Sequence, residues 1–176
     1  MDLVFVGTGG HARVVADASL EAGFNLRGFV DLDYKGQKDE ILGFPVLGGL
    51  TVLSKFDTEQ ISVVVAVGDN NQRAKHYSEL KRKGFTIASI IHPTAILSKY
   101  MEIGEGCFIN SGVIINAEVM IGDNCIINTG SIIEHECVIE NSCHIAPGVR
   151  IGGRTIIGKN SFVGIGSSIA NFINIG

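Results

Sequence analysis

One histidine of this chain stands between two acidic residues, a grouping suited to acid–base chemistry. Glu134, His135 and Glu136 are consecutive. An imidazole exchanges a proton near neutral pH, and a carboxylate beside it can fix its tautomer and raise its basicity. Such a pair could take a proton from an attacking amine or hydroxyl group. The residues alone leave open the alternative that these side chains form only a solvated corner.

A glycine-rich turn near the N-terminus is suited to holding phosphate groups. Residues 7–12 (GTGGHA) lie between an apolar run typical of a strand and a helical pattern. Glycines allow the backbone to approach a pyrophosphate, and a helix N-terminus favours negative charge. Asp31 ends the next strand, where an acid that binds a ribose is expected. A tight turn that serves only packing, and an NAD site, are the alternatives.

A second polar group follows the third predicted strand. Residues 68–71 (GDNN) stand at the carboxyl end of that strand, where open α/β sheets bind ligands. Gly68 is therefore expected to face the same crevice as the glycine-rich turn. The group also suits the cap of a helix, and whether it contacts a ligand in addition stays open.

The elements that carry these residues read as βαβ(α)βα, which predicts a small parallel sheet covered by helices. Residues 31–49 include a looser section rich in glycine. We predict strands at 3–6, 26–30, 63–67 and 87–91, a helix through residues 14–21 that is stopped by Gly23, a helix from about 72 to 83, and a short helix near 50–54.

The second half of the chain consists of repeats of six residues (hexads), which predicts a parallel β-helix. From Ile103 to Ile175, every sixth residue is Ile or Val, and the residue four positions later is small or β-branched. Three hexads close one coil, so residue i stacks on residue i+18. Two internal ladders are expected: Ile109, Ile127, Ile145 and Val163, and Ile121, Ile139, Ile157 and Ile175. His135 and Glu136 occupy the third and fourth positions of their hexad, at an outward corner.

Composition limits the function classes. The 176 residues carry a net charge of −4 without a basic patch, which argues against nucleic acid. No apolar run is long enough to span a membrane and no signal sequence is present. All four cysteines fall at the inward fifth position of a hexad, so we expect small buried hydrophobes of a cytoplasmic protein, with no metal site.

Several segments resemble one family, the left-handed β-helix sugar acetyltransferases. They are residues 7–15, 92–95, 128–139 and 144–148, and the likeness extends over nearly the whole chain. The family includes the UDP-4-amino-sugar N-acetyltransferases of bacillosamine biosynthesis and the sialic acid O-acetyltransferases. The resemblance implies a Rossmann-like α/β domain over residues 1–88 and an all-β left-handed parallel β-helix over residues 89–176. Periodicity alone leaves the hand of the helix open.

The resemblance also implies roles for single residues. The N-terminal domain would hold a nucleotide-sugar, and the β-helix would bind acetyl-CoA in a homotrimer whose sites lie between neighbouring prisms. The family extends one to two coils further than this chain, so we expect either a truncated domain or a short variant with a weakened CoA site. The implied residues are His135 and Glu136 for catalysis, Gly9, Gly10, His11, Asp31, Asp33 and Gly68 for the nucleotide-sugar, and Asn128, His144, Gly153 and Ile165 for acetyl-CoA.

The function predicted on this basis is N-acetylation of a UDP-linked 4-amino-sugar for surface glycans. His135 would act as general base in a direct transfer, and inward Cys137 would form no acyl-enzyme. O-acetylation of sialic acid or another free sugar is the first alternative. A non-catalytic β-helix scaffold is the second, and the β-helix disfavours an NAD-dependent enzyme.

Overall fold

The computed structural model describes residues 2–37 and 39–176 and divides the chain into two compact units. The first unit is Met1–Ala88 and the second is Ser89–Gly176. Each unit has its own core of buried aliphatic side chains. No helix in the described part of the chain is long and apolar enough to cross a membrane.

The first unit contains a six-stranded sheet in the order β3-β4-β2-β1-β5-β6. All neighbouring strands are parallel except β3 and β4. Two α-helices and one 3-10 helix (Leu50–Lys55) connect the strands. The elements are β1 (Asp2–Val6), α1 (Gly10–Glu21), β2 (Asn25–Val30), β3 (Glu40–Ile41), β4 (Phe44–Gly48), β5 (Ile61–Val65), α2 (Asn70–Arg82) and β6 (Thr86–Ile87).

Two details of this unit differ from the prediction. The looser section contains the antiparallel pair of β3 and β4, which glycine and proline obscure in the pattern. The segment predicted as one strand over 87–91 is two strands, because its ends pair with different sheets. Ala88 donates its backbone N–H to Val63, whereas Ile90 donates to Cys107 of the second unit.

The second unit is a β-helix of fifteen two-residue strands arranged in three five-stranded parallel sheets. Its register is the predicted one, with Ile109 opposite Ile127 and Ile139 opposite Ile157. The strands are β7 (Ile90–Ile91), β8 (Ile96–Leu97), β9 (Glu102–Ile103), β10 (Phe108–Ile109), β11 (Ile114–Ile115), β12 (Met120–Ile121), β13 (Ile126–Ile127), β14 (Ile132–Ile133), β15 (Val138–Ile139), β16 (His144–Ile145), β17 (Arg150–Ile151), β18 (Ile156–Ile157), β19 (Phe162–Val163), β20 (Ser168–Ile169) and β21 (Asn174–Ile175).

The fifth position of the hexad points inward, as predicted. The four cysteines there form no disulfide and are fully enclosed. A hydrogen bond with the Cys107 thiol raises the pKa of Cys125 to about 12, and burial raises the pKa of the Cys137 thiol. Both thiols therefore stay protonated near neutral pH, which suits a packing role rather than a nucleophilic one.

Each coil turns three corners, and from residue 106 onward one residue at each corner has a left-handed backbone conformation. Glycine and asparagine tolerate this region, whereas other residues enter it at a steric cost. The three columns of corner residues differ in composition. We name them the glycine corner (Gly112, Gly130, Gly148, Gly166), the asparagine corner (Gly106, Asn124, Ser142, Asn160) and the charged corner (Glu118, Glu136, Arg154, Phe172).

Candidate active site

His135 and Glu136 form a hydrogen-bonded pair at the charged corner. The Nδ1 atom of His135 lies 2.8 Å from Oε2 of Glu136. The His135 side chain is 56% exposed and that of Glu136 is 36% exposed, so the pair faces outward as the hexad position predicts. Glu134 takes no part in the pair, because its Oε2 accepts a hydrogen bond from Asn116 at 3.0 Å.

Arg154 is the residue at this corner that the sequence reading missed. Its Nε donates to the same Oε2 of Glu136 at 2.9 Å, from the next coil of the helix. This guanidinium, and then His135, hold the pKa of the Glu136 carboxyl below its usual value. The 18-residue period of the sequence could have indicated this contact, because residue 154 lies one coil after residue 136.

The ionised carboxylate determines which nitrogen of His135 is free for chemistry. An ionised carboxylate only accepts hydrogen bonds, so Nδ1 of His135 donates, and in the neutral form of the imidazole the lone pair is then on Nε2. The Nε2 edge of the ring lies over Gly153, where an added Cβ would stand 2.7 Å from Nε2. Gly153, predicted to line the acetyl-CoA site, therefore also leaves room for the imidazole.

A second imidazole, that of His144 on β16, is held by an amide. Asn128 presents its Nδ2 to Nε2 of His144 at 3.2 Å, while its Oδ1 accepts hydrogen bonds from Asn110 and from the backbone N–H of Thr129. Nε2 of His144 is thus the acceptor of this bond. The ring also meets Phe162 edge-on, with centroids 5.0 Å apart.

Three of the four residues predicted for acetyl-CoA binding lie in the corners beside one sheet, and the fourth, His144, lies on β16 of the neighbouring sheet. Asn128 and Ile165 stand in the corner that precedes the β8-β11-β14-β17-β20 sheet, and Ile165 is 78% exposed. Gly153 stands in the corner that follows it. Asn128 contacts His144 and Gly153 contacts His135. The structure therefore pairs Asn128 with His144 at the corner before this sheet and Gly153 with His135 at the corner after it.

The nucleotide-sugar residues of the first unit gather in one cleft of about 430 Å³. All six predicted residues line it: Gly9, Gly10, His11, Asp31, Asp33 and Gly68. The Asp31 carboxylate accepts hydrogen bonds from Thr8 Oγ1 and from the backbone N–H of Asp33, each at 3.1 Å. Asp31 therefore organises the loop that carries the exposed Asp33.

The glycine-rich turn is fixed from both sides. Gly7 has φ +120°, and an added Cβ would stand 2.7 Å from the carbonyl oxygen of Ala66, so only glycine fits there. Arg13 of α1 donates to the carbonyl oxygens of Thr8 and Gly9 at 2.7 and 3.2 Å. These contacts hold the turn at the start of α1, where a phosphate would bind.

The opposite wall of the cleft depends on a buried arginine. Arg73 of α2 donates to the carbonyl oxygen of Gly68 at 3.1 Å and to Oδ1 of Asn70 at 2.8 Å. Asp69 caps the same helix by accepting from the backbone N–H of Gln72, which confirms the capping interpretation. Among the described residues, no cluster of His, Cys, Asp or Glu could hold a metal ion.

Two family models match the chain. Residues 2–80 match the PglD N-terminal domain, and residues 100–135 and 119–153 match the bacterial transferase hexapeptide (six repeats). The two matches fall in the two units of the structure.

Solved structures resemble the chain over almost its full length. A mutant GDP-perosamine N-acetyl transferase from Caulobacter crescentus, in complex with CoA and GDP-perosamine, is 33% identical with a TM-score of 0.94, over 99% of this chain and 82% of that one. PerB from the same organism, with the same ligands, is 31% identical with a TM-score of 0.82, over 100% and 92%. The acetyltransferase domain of PglB from Neisseria gonorrhoeae, in complex with acetyl coenzyme A, is 30% identical with a TM-score of 0.77, over 98% and 86%.

Proposed function

The chain belongs to the left-handed β-helix sugar acetyltransferases, and on that premise we propose that it transfers an acetyl group from acetyl-CoA to the amine of a nucleotide-linked amino sugar. The observation that carries the proposal is the outward His135–Glu136 pair, with Nε2 of His135 over Gly153. One of the similar structures is a GDP-perosamine N-acetyl transferase in complex with CoA and GDP-perosamine, which favours the amine over a hydroxyl group.

The proposed mechanism is a direct transfer. The amine nitrogen attacks the thioester carbonyl carbon while Nε2 of His135 takes the proton. Glu136 keeps the imidazole in the tautomer with Nδ1–H and favours the imidazolium that forms. The tetrahedral intermediate then expels the CoA sulfur, which recovers the proton from His135. Cys137 forms no acyl-enzyme, because its thiol is enclosed and protonated.

The proposed nucleotide site is the cleft of the first unit. The turn at Gly9 and Gly10 would meet the phosphates, and the exposed Asp33 would contact the nucleoside. A UDP-4-amino-4,6-dideoxy-N-acetylglucosamine is the first candidate substrate. A GDP-linked amino sugar is the second, since two of the similar structures contain GDP-perosamine.

A homotrimer is proposed as the working form. The His135 side chain is more than half exposed in one chain, and a reacting amine needs a site from which water is excluded. Exposed apolar side chains on the flat faces of the β-helix, including Ile96, Met120 and Ile156, offer surface that a second copy could cover.

Thiol release from acetyl-CoA tests the proposal. The protein would be assayed with the UDP-linked 4-amino-sugar, with GDP-perosamine and with free sialic acid, and products would be identified by mass spectrometry. We expect a mass gain of one acetyl group on a nucleotide-linked amino sugar. Acetylation of sialic acid alone would favour the O-acetyltransferase alternative. Binding of neither acetyl-CoA nor any sugar would favour a scaffold and contradict the proposal.

A further inference from the structure

Arg154 reaches the catalytic carboxylate from a different coil of the β-helix. Its Nε lies 2.9 Å from Oε2 of Glu136, and Nδ1 of His135 lies 2.8 Å from the same oxygen. A carboxylate oxygen can accept two hydrogen bonds, so both donors can be held together. One atom of Glu136 therefore joins residues that are 18 positions apart.

A third coil supports the guanidinium. The Cζ of Arg154 lies 5.8 Å above the centroid of the Phe172 ring, at a distance typical of a cation–π contact. Glu136, Arg154 and Phe172 follow one another at intervals of 18 residues. The guanidinium is thus held between a carboxylate on one side and an aromatic ring on the other.

The backbone at these three positions adopts a conformation that residues with a Cβ rarely adopt. Glu136, Arg154 and Phe172 have φ of 58°, 58° and 62°. These values are unfavourable for residues with a Cβ, and the glycine corner meets the same demand with glycine. Strained backbone of this kind concentrates at functional sites.

Arg154 has a direct consequence for His135. Its Nε fixes Oε2 of Glu136 in place, so that this oxygen of the carboxylate faces Nδ1 of His135. His135 must then donate from Nδ1. Gly153, the residue before Arg154, leaves the space that Nε2 occupies. One dipeptide of the next coil therefore supports both members of the catalytic pair.

We propose that Arg154 is a positioning residue for the acetyl transfer, acting through Glu136 to hold His135 with its Nε2 free for the proton. This inference rests on the proposed function, in which His135 is the general base. If Arg154 and Glu136 formed only an ordinary exposed ion pair, their contact would have little influence on the tautomer of His135 or on kcat.

Steady-state kinetics with Arg154→Met and Arg154→Lys provide the first test. We expect Arg154→Met to lower kcat roughly tenfold with KM for both substrates changed less than about twofold, because a residue that acts only through Glu136 binds neither substrate. Arg154→Lys restores the charge and is expected to recover much of kcat. Arg82→Met, which removes the same charge from the exposed end of α2, is the matched control and should retain full activity.

A double-mutant cycle tests whether Arg154 acts through Glu136. In a Glu136→Gln background, Arg154→Met should cause no further loss of kcat. A full additional loss, or a rise in KM for acetyl-CoA, would mean that Arg154 contacts the coenzyme or sugar, and would overturn the inference.

Nitrogen-15 NMR of the His135 ring provides a readout independent of turnover. We expect the Nδ1–H tautomer to predominate in the wild type and in Arg154→Lys, and a mixture of tautomers in Arg154→Met. Unchanged tautomers together with unchanged kcat would overturn the inference. If the wild type transferred no acetyl group to any sugar while the His135 tautomer still responded to Arg154, the proposed function would fall but the positioning of His135 through Glu136 would stand.

Discussion

The glycine corner and the charged corner of the β-helix adopt the same backbone conformation with opposite kinds of residue. Both columns have φ near +60° to +70° in four successive coils. The glycine corner meets this demand at no steric cost, and an added Cβ at Gly148 would have open space around it. The charged corner meets it with Glu118, Glu136, Arg154 and Phe172, each of which carries the cost of a left-handed L-residue.

The difference separates what the coil needs from what the chemistry needs. The asparagine corner shows the intermediate solution, since Asn124 and Asn160 tolerate this region. A turn alone would accept glycine or asparagine at all three corners. The charged corner instead places a carboxylate between the imidazole of its own coil and the guanidinium of the next, which only side chains can do.

The largest effect on activity is expected when the imidazole beside the charged corner is replaced. His135→Ala removes the proposed general base and should lower kcat by roughly 10²- to 10⁴-fold, while the exposed site keeps the fold unchanged. Turnover by thiol release and circular dichroism would measure the two effects. His92→Ala, which removes another partly exposed imidazole from the same unit, should keep most of the activity. Turnover of His135→Ala at the wild-type rate would exclude the general-base role.

A methyl group added at the charged corner should lower activity, whereas one added at the glycine corner should lower only stability. Gly153→Ala would place a Cβ 2.7 Å from Nε2 of His135, so the ring must move and kcat should fall roughly 10- to 100-fold. Gly148→Ala meets nothing within 4 Å but has φ +70°. It should lower the melting temperature by about 3 °C without lowering kcat. Equal loss of activity in both variants would contradict the assignment of chemistry to one corner.

Relieving the backbone at the charged corner should separate stability from activity. Glu118→Asn and Glu136→Asn place a residue that tolerates φ near +60° at equivalent positions of successive coils. Glu118→Asn should raise the melting temperature by about 1–2 °C, and Glu136→Asn should raise it less, because that variant also loses the ion pair with Arg154. Only Glu136→Asn should lose activity, because Glu118 lies one coil away from the imidazole. A melting temperature lowered in Glu118→Asn would show that the corner is not strained.

The smallest expected effect is on the melting temperature at acidic pH. The pKa of Glu136 is below its ordinary value of 4.5 in the folded chain, with Arg154 as the main cause. Its contribution to stability is therefore complete above about pH 4.5 and is lost as the pH falls through the lowered value. Arg154→Met raises the folded pKa toward 4.5, so its melting temperature should change less between pH 6 and pH 3.

Differential scanning fluorimetry of both proteins across that range would measure this effect, which we expect to be about 1 °C because the groups are exposed. Arg82→Met serves again as the control. An identical pH dependence in wild type and Arg154→Met would show that the ion pair has no energetic role in the folded chain.

Most strands and helices of the first unit could be predicted from the sequence, and two parts of it could not. The strand around Val4 and the helix capped by Asp69 have strong apolar periodicity or a clear cap, and both lie where predicted. The β3–β4 pair was missed, because two-residue pairing next to Gly43 and Pro45 leaves no alternation to detect. The split of the 87–91 segment follows from hydrogen bonds to two different sheets, which no local pattern encodes.

The sequence by itself determined the β-helix, its register and the outward position of His135. These features follow from local rules, since a six-residue period fixes which side chains point inward and an 18-residue coil fixes which residues stack. The crevice of the first unit was also foreseeable, because parallel strands end at one edge of a sheet.

The side-chain contacts at the charged corner could be read only from the tertiary structure. That Arg154 and His135 share one oxygen of Glu136, and that Nε2 lies over Gly153, depends on where flexible side chains settle between coils. Those positions are set by contacts across 18 residues and by a left-handed backbone that the residue types do not favour. The periodicity stacks residues 136 and 154, but the side-chain contacts determine what their atoms bind.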